Sequence, residues 1–204
     1  MGKRAQSGNG ETSSQILDIA ERLVQSRGFN AFSYADVAAE LHVSKAALHY
    51  HFASKAELGE ALLTRYAARF AGALSAIDAE PAAAPQKLAA YANLYREVLE
   101  NQRMCLCGML AAEYQTLSEP MRPILMAFFS DNEAWLGRVL EQGREEGTLD
   151  FAGSISTAAR LIVAALEGAM LVARPFGDVA RFQAAAAGLF AGLASPSSAG
   201  APDT

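Results

Sequence analysis

The sequence predicts an all-α protein, with an N-terminal three-helix head that contains a helix-turn-helix and a C-terminal helical domain, about nine helices together. Three observations support this class. Apolar residues recur every three or four positions along most of the chain, which is the period of an amphipathic helix. Capping serines, aspartates and glycines stand at the ends of these stretches. No segment shows the alternating pattern of a half-buried strand.

The composition of the chain predicts four parts. Residues 1–11 are rich in Gly, Ser and Asn and are expected to be disordered, whereas residues 12–54 form the helix-turn-helix head. A larger helical domain is expected over residues 55–194. Residues 195–204, which contain Ser, Pro and Ala without periodicity, are predicted to be a second disordered tail.

Local capping signals place the helices of the head. The first helix is predicted over residues 12–27, with Gly28 as its left-handed cap. Ser33 stands three residues before Asp36 in the capping-box arrangement, which predicts the start of the second helix. Only a tight turn fits before Ser44, a good N-cap for the third helix.

The third helix shows an apolar side and a polar side. Leu48 and Phe52 stand four residues apart and are expected to be buried. The other side carries cationic, hydrogen-bonding and small residues, namely Lys45, Ala47, His49, Tyr50 and His51. No carboxylate occurs between Leu41 and Ala56, although the chain has a net charge of -5. A polyanion is therefore the expected partner, and a helix-turn-helix would place this helix in the major groove of DNA.

The segment from Val43 to Phe52, followed by Ser54, Lys55 and Leu58, resembles the DNA-binding signature of transcriptional regulators of the TetR family (TetR/AcrR-like). The resemblance implies a ligand-responsive homodimeric repressor of a palindromic operator in double-stranded DNA. Carried over position by position, it implies DNA contacts by Ser33, Tyr34, Lys45, Ala46, Ala47, His49, Tyr50 and Lys55. His49 stands where the family usually has tyrosine, so this contact is expected to depend on pH.

The C-terminal domain is predicted to contain six helices, each bounded by a break in the apolar pattern. Glu80 to Pro85 interrupts the chain after the first of them, Gly147 ends the fourth and Pro175 stops the fifth. The predicted ranges are 55–79, 85–101, 103–117, 121–146, 154–174 and 178–193.

The family resemblance also implies how these helices are used: the last two long helices of each subunit form a four-helix dimer interface. The helices predicted over 154–174 and 178–193 are apolar enough for that purpose. The candidate interface residues are Leu161, Leu166, Met170, Leu189 and Phe190. A buried helix pair within a monomer would show the same periodicity.

In the family, the middle helices enclose an effector pocket. A small, mostly apolar or electrophilic effector is therefore expected between them. The candidate pocket residues are Tyr91, Tyr95, Cys105, Cys107, Met109, Phe128 and Trp135. Aromatic and methionine side chains at this spacing are equally typical of an ordinary core.

Cys105 and Cys107 allow two interpretations. One residue apart on a helix, they are too close for an easy disulfide, which fits a reducing compartment. The stretch from Cys105 to Glu113 resembles the start of the pocket-lining helix in an electrophile-sensing branch of the family, which implies a reactive thiol. Alternatively, both cysteines pack as small apolar residues.

Other classes of function find little support in the sequence. His42, His49 and His51 lack the spacing of helical metal ligands, and no metal, cofactor or catalytic constellation is expected. The N-terminus resembles no signal peptide, and no apolar run is expected to span a membrane, so a cytoplasmic protein is predicted. Two alternatives stay open: a helical small-molecule-binding protein or enzyme with an incidental head, and a DNA-binding regulator without an effector.

Overall fold

The computed structural model describes the backbone of residues 3–195 and the side chains of residues 10–195. Within this range the protein is all-α, as predicted, with an isolated antiparallel bridge between Leu149 and Ala194. Two short 3-10 turns, Tyr114–Thr116 and Arg174–Phe176, join the helices. The helices are α1 (Lys3–Arg27), α2 (Tyr34–Leu41), α3 (Lys45–His51), α4 (Lys55–Ala79), α5 (Ala84–Glu100), α6 (Leu106–Ala112), α7 (Met121–Glu145), α8 (Ile155–Ala173) and α9 (Val179–Ala191). The predicted tail beyond residue 195 lies outside the described residues.

The chain forms two compact units. Unit 1 consists of Met1–Ala68 and Cys105–Met126, and unit 2 of Arg69–Met104 and Ala127–Thr204. The chain passes from one unit to the other at three points. Two of them, after Ala68 and after Met126, fall within the long helices α4 and α7. By compactness, residues 55–68 of α4 and residues 105–126, which include α6, belong with the head. The division at residue 54 stays a prediction.

Unit 1 has a small apolar core beneath the helix-turn-helix. The buried apolar side chains of α1 lie on one face, as its periodicity predicts, and are Ile16, Ala20, Leu23 and Val24. Gly28 ends α1 with φ +96, a conformation that suits glycine. The rings of Phe29 and Phe32 then meet edge to face with centroids 5.7 Å apart. This core supports α2 and α3 from below.

The first helix begins earlier than predicted. α1 starts at Lys3 rather than at residue 12, so residues 3–11 continue the helix instead of forming the predicted disordered segment. Gly, Ser and Asn have low helix propensity, which was the basis of the prediction. Extending an existing helix orders only one further residue per backbone hydrogen bond, whereas nucleating a helix orders several residues for the first bond. The packed part of α1 is the nucleus from which residues 3–11 extend the helix.

Unit 2 is built around α5, α7, α8 and α9. Ser154 caps α8 by accepting a hydrogen bond from the amide of Thr157 at 3.1 Å. Asp178 caps α9 by accepting one from the amide of Ala180 at 3.0 Å. These two starts agree with the sequence. The largest side chains buried between the helices include Leu88, Tyr91, Tyr95 and Phe182.

Gly143 allows the chain to fold back closely after α7. A Cβ atom at this position would lie 2.3 Å from Leu149 Cδ1 and 2.9 Å from the Cβ of Ala84. We expect Gly143→Ala to lower the free energy of unfolding by about 1–3 kcal/mol, because the core has no room for the methyl group. Urea denaturation measures the change.

Gly137 is the matched control because it lies in the same helix. A Cβ there meets only Ile155 Cγ2, at the ordinary distance of 3.7 Å. Gly137→Ala is expected to stabilise the protein by up to about 1 kcal/mol through helix propensity. Equal stability of the two variants would contradict the close packing at Gly143.

α6 is shorter than the helix predicted over residues 103–117. α5 ends in a turn in which Gln102, with φ +57, directs its amide to the carbonyl of Leu99 at 2.8 Å. The chain is extended at Cys105 (φ -52, ψ 128) before α6 begins at Leu106. A helix can only start after this extended residue, and Glu113 ends it.

α8 and the turn after it form the most apolar segment of the described chain. Residues Ile155–Phe176 are long and apolar enough to cross a membrane by length and composition, contrary to the sequence-based expectation that no such run exists. Core helices of soluble proteins can meet the same criterion, but only 33% of the apolar window is buried inside this protomer. Much of its apolar surface is therefore left uncovered.

Candidate functional site

α2 and α3 are joined by the tight turn of a helix-turn-helix. His42 adopts the left-handed conformation with φ 56, and the amide of Val43 donates to the carbonyl of Ala38 at 3.0 Å. Ser44 then caps α3 by accepting a hydrogen bond from the amide of Ala47 at 3.2 Å. The geometry agrees with the local sequence signals.

The outer face of α3 is exposed and free of carboxylates. Leu48 is fully buried and Phe52 nearly so, which fixes the rotation of the helix about its axis. Lys45, Ala46, His49 and Tyr50 are consequently exposed, and Ala47 is half-buried. Tyr50 has 78% of its surface in solvent although it is a large aromatic residue. An exposed ring beside small alanines and a cation suits close contact with a nucleic acid.

The histidines of α3 have defined polar contacts. His49 Nδ1 lies 3.1 Å from the carbonyl oxygen of Ala53, and His51 Nδ1 lies 3.0 Å from Ser13 Oγ. A carbonyl oxygen can only accept, so the Nδ1 atom of His49 must carry a proton. The Nε2 atom of a neutral His49 ring is therefore an acceptor, and it donates only when the ring is protonated.

Tyr34 occupies a different position from the one that the sequence suggested. Its side chain is buried, and its hydroxyl donates to the carbonyl of Phe52 at 2.9 Å. Burial, with a smaller contribution from the charge of Glu57, raises its pKa to about 12. The hydroxyl links α2 to the end of α3, so the phosphate contact predicted for Tyr34 is limited to its backbone amide.

Ser33 lies exposed at the start of α2. Its amide and its hydroxyl both donate to Asp36 Oδ2, at 2.7 and 2.6 Å. These hydrogen bonds hold the pKa of Asp36 below its usual range, so that this carboxylate stays charged. The hydroxyl of Ser33 thus has an acidic neighbour, which weakens the attraction of this corner for phosphate.

Lys55 is half-buried against the head rather than extended into solvent. Its Nζ atom donates to the carbonyl of Phe32 at 2.5 Å and lies 4.8 and 4.5 Å from the ring centroids of Phe29 and Phe32. Burial lowers its pKa, an effect opposed by the charges of Glu113 and Asp36. Five of the eight predicted residues nevertheless line one concavity of about 380 Å³, namely Ser33, Tyr34, Lys45, His49 and Lys55.

A contact that the sequence did not reveal connects α6 to the head within unit 1. Glu113, directly after α6, accepts a hydrogen bond from the amide of Asn30 at 3.0 Å. The side-chain amide of Asn30 donates to Thr116 Oγ1 at 2.7 Å. More than eighty residues separate these partners in the chain, so local pattern could not indicate them. We call Asn30, Glu113 and Thr116 the α6 clasp.

Four of the seven predicted pocket residues lie together in unit 2. The rings of Tyr91 and Trp135 stack with centroids 5.5 Å apart, and Phe128 and Tyr95 join them around the ring of Phe70. The hydroxyl of Tyr91 donates to Asn132 Oδ1 at 3.1 Å and lies 2.9 Å from that of Tyr95. All four predicted residues are buried, so in this conformation they form a packed aromatic cluster with polar groups inside it.

The other three predicted pocket residues belong to unit 1. Cys105 and Cys107 are buried and form no disulfide, whereas Met109 is half-buried. The hydroxyl of Tyr66 donates to Cys105 Sγ at 3.7 Å. Cys105 immediately precedes α6, and the α6 clasp follows the helix at its other end.

The predicted interface residues divide into exposed and buried sets. Leu161 is 54% exposed, and Leu189 and Phe190 are half-buried. Leu166 and Met170 are fully buried in the protomer, so their assignment to an interface is corrected to the core. The outer side of α8 instead presents Leu171 and Val172. Beside them, a groove of about 530 Å³ between α8 and α9 has mostly small residues in its walls: Ala165, Gly168, Ala169, Ala184 and Ala185.

Comparison with known proteins gives consistent matches. The family described as "Bacterial regulatory proteins, tetR family" matches residues 16–62, and the family described as "Tetracyclin repressor-like, C-terminal domain" matches residues 84–189. The chain is similar to the HTH-type transcriptional repressor NemR of Escherichia coli (strain K12), with 29% identity over 168 residues, 80% of this chain and 84% of NemR.

Two solved structures resemble this chain over most of its length. A TetR-family transcriptional regulator from Agrobacterium tumefaciens superposes with a TM-score of 0.88 and 28% identity, over 92% of this chain and 100% of the other. E. coli NemR in its reduced form superposes with a TM-score of 0.80 and 26% identity, over 91% of this chain and 98% of the other.

Proposed function

Because this chain belongs to the TetR family of bacterial regulatory proteins, we propose that it is a dimeric transcriptional repressor that binds a palindromic operator and leaves it when a small effector binds. The observation that carries the DNA-binding part is the outer face of α3. This face is exposed and free of carboxylates, and it follows a tight turn of the helix-turn-helix type. A helix presented in this way fits the major groove of DNA.

The residues of the head have distinct roles in this proposal. Lys45, Ala46, Ala47 and Tyr50 meet bases or backbone in the groove, where the alanines allow close approach. The amide of Tyr34 meets phosphate at the start of α2, and Ser33 does so when its hydroxyl turns from Asp36 to the DNA. Lys55 uses one donor on the carbonyl of Phe32, which leaves its other ammonium donors for a phosphate.

His49 lies on the exposed face of α3 with its Nδ1 proton directed to the carbonyl of Ala53. Nε2 is therefore the ring atom that remains for the proposed complex. It accepts a hydrogen bond from the DNA when the ring is neutral and donates one to a phosphate when the ring is protonated.

Operator binding can be tested with the DNA upstream of the protein's own gene. We expect Lys45→Ala to weaken binding about fivefold and to reduce the dependence of affinity on salt, because one cation no longer displaces counterions from the DNA. Fluorescence anisotropy at several salt concentrations measures both quantities. Arg138→Ala, which removes an exposed cation in unit 2, is the control and should bind like the wild type. Unchanged affinity and salt dependence of Lys45→Ala would contradict the proposed docking.

The outer surface of α8 and α9 supports the proposed dimer. Leu161, Leu171 and Val172 expose more than half of their surface, and the adjoining groove has small residues that permit close helix packing. A large apolar surface on a soluble protomer needs a cover. A second copy of the chain, joined through these two helices as the family resemblance implies, is the proposed cover. This arrangement needs no membrane, and we propose a cytoplasmic protein.

The aromatic cluster of unit 2 is the proposed effector site. Tyr91, Tyr95, Phe128 and Trp135 offer flat apolar surfaces, and hydroxyl and amide groups lie between them. The cluster is packed in this conformation, so the proposed effector would bind a conformation in which the cluster is open. Such a ligand shifts the protein toward the open conformation only if it binds that conformation better than the one that binds DNA.

A thiol-based effector response is the second candidate, and one observation favours it. The hydroxyl of Tyr66 donates to Cys105 Sγ, and such a donor stabilises negative charge on sulfur, the form in which cysteine reacts with electrophiles. Because Cys105 precedes α6 and Glu113 holds the head from the other end, a change at the thiol has a short route to Asn30. The two effector mechanisms differ in whether the response needs the cysteines.

A further inference from the structure

A cavity of about 610 Å³ in unit 2 has no role in the proposed function. It lies between the turn that follows α5 and the connection from α8 to α9. Leu99 and Arg103 belong to the first wall, and Arg174 and Phe176 to the second. None of the residues of the aromatic cluster lines it. Its volume is sufficient for a small organic molecule.

The carboxylates at this cavity are already neutralised. Glu100 forms an ion pair with Arg96, one turn earlier on α5, with 2.5 Å between Oε1 and Nη1. Asp178 caps α9 through the amide of Ala180 and lies 3.6 Å from Arg181 Nε. Neither cation of these pairs lines the cavity. The arginines of the lining therefore give the cavity a positive potential.

Arg103 is the cation best placed to receive a ligand. Its guanidinium makes no hydrogen bond or ion pair within the part of the chain that the structure describes, and its residue is half-buried. A half-buried guanidinium with unused donors binds a carboxylate in a bidentate manner more strongly than an exposed one, because less water competes. Arg174 contributes a second positive charge to the same lining.

The remaining lining is apolar, and its shape is held by the backbone. Phe176 is 60% exposed, and the guanidinium of Arg181 covers its ring at 3.8 Å. Gly177 and Gln102 adopt left-handed conformations, with φ +59 and +57, in the two opposite walls. A non-glycine residue with positive φ is retained only where its surroundings determine it, often at a ligand site. Pro175 and Leu99 add apolar surface.

We propose that this cavity binds a small organic anion, a carboxylate attached to a flat apolar group. The carboxylate pairs with Arg103 in the potential of Arg174, and the apolar group lies against Phe176 and Leu99. A ligand with a single negative charge and an aromatic body satisfies both parts of the lining. This binding does not require the protein to bind DNA, so it is independent of the proposed repressor function.

The proposal is tested with 1-naphthoate and its neutral analogue 1-naphthamide, which differ in charge but hardly in shape. Isothermal titration calorimetry of the full-length protein should show that one naphthoate binds per chain, at least about tenfold more tightly than naphthamide. Arg103→Gln should remove this preference and leave naphthamide binding unchanged. Arg138→Gln, which removes an exposed arginine of unit 2 outside the cavity, should bind both ligands like the wild type.

The same titrations contain the results that would overturn the proposal. Equal affinity of the wild type for the two ligands, or no binding of naphthoate at millimolar concentration, would refute an anion site. A naphthoate preference that persists in Arg103→Gln would refute the assignment to this cavity. Thermal unfolding of each variant, with and without naphthoate, verifies that the protein is folded, and naphthoate should raise the unfolding midpoint only where it binds.

Discussion

The Val172→Glu variant is expected to be a folded monomer that has lost at least about 100-fold of the wild-type affinity for the operator. Val172 is 62% exposed in the protomer, so glutamate is tolerated there in a monomer. In the proposed dimer the same carboxylate would be buried without a partner, which costs several kcal/mol. A monomer presents one α3 to the DNA, whereas a palindromic operator needs two.

Sedimentation measures the mass of the variant, and anisotropy measures its affinity for DNA. Met126→Glu is the matched control, because Met126 is an apolar residue with 60% exposure that lies in unit 1, outside α8 and α9. It should sediment as a dimer and bind DNA normally. A dimeric Val172→Glu protein with normal affinity would mean that the chain associates through another surface, and a monomeric wild-type protein would contradict the proposed dimer itself.

The starts of the helices could be predicted because the signals are local. Ser44, Ser154 and Asp178 each bond to an amide two or three residues ahead, so residue type and spacing were sufficient. The predicted start of α1 at residue 12 was wrong for a related reason. Local propensity described residues 3–11 correctly as weak helix formers, but the helix packed behind them allows continuation.

The orientation of α8 could not be predicted from periodicity. Apolar residues surround this helix on nearly all sides, so the pattern did not distinguish the stripe that faces the core from the stripe that faces outward. Leu166 and Met170 face the core, whereas Leu171 and Val172 face solvent, although Met170 and Leu171 are neighbours in the chain. Only the packing of α8 against α5 and α9 decides between the two.

Contacts between distant parts of the chain account for the other differences at the candidate site. Tyr34 is adjacent to the predicted DNA-binding face in sequence, yet its hydroxyl reaches the carbonyl of Phe52 after α3. The α6 clasp joins residues that only the fold brings together. A tyrosine or a glutamate at a polar position carries no local signal of such a partner, because capping and periodicity concern only the nearest turns.

Alkylation of the thiols with N-ethylmaleimide is expected to weaken operator binding by up to about 100-fold in the wild type. The sulfur of Cys105 adds to one carbon of the maleimide double bond, the thiol proton goes to the other carbon, and nothing is released. Cys105 is 2% exposed, and a close-packed interior has no room for the added ring. α6 must therefore move, and Glu113 at its end transmits the movement to Asn30 in the head.

Substitutions separate the chemistry of this response from its transmission. Cys105→Ser should keep the operator bound after treatment with N-ethylmaleimide, whereas Cys107→Ser should still release it if Cys105 is the reactive thiol. Glu113→Ala should be alkylated to the same extent by mass spectrometry yet release less DNA, because the hydrogen bond to the amide of Asn30 is absent. If the double variant Cys105→Ser, Cys107→Ser loses operator affinity after treatment with N-ethylmaleimide as the wild type does, the response does not pass through the thiols, and the thiols only pack. In that case effectors act through non-covalent binding, and the aromatic cluster of unit 2 is the site to examine.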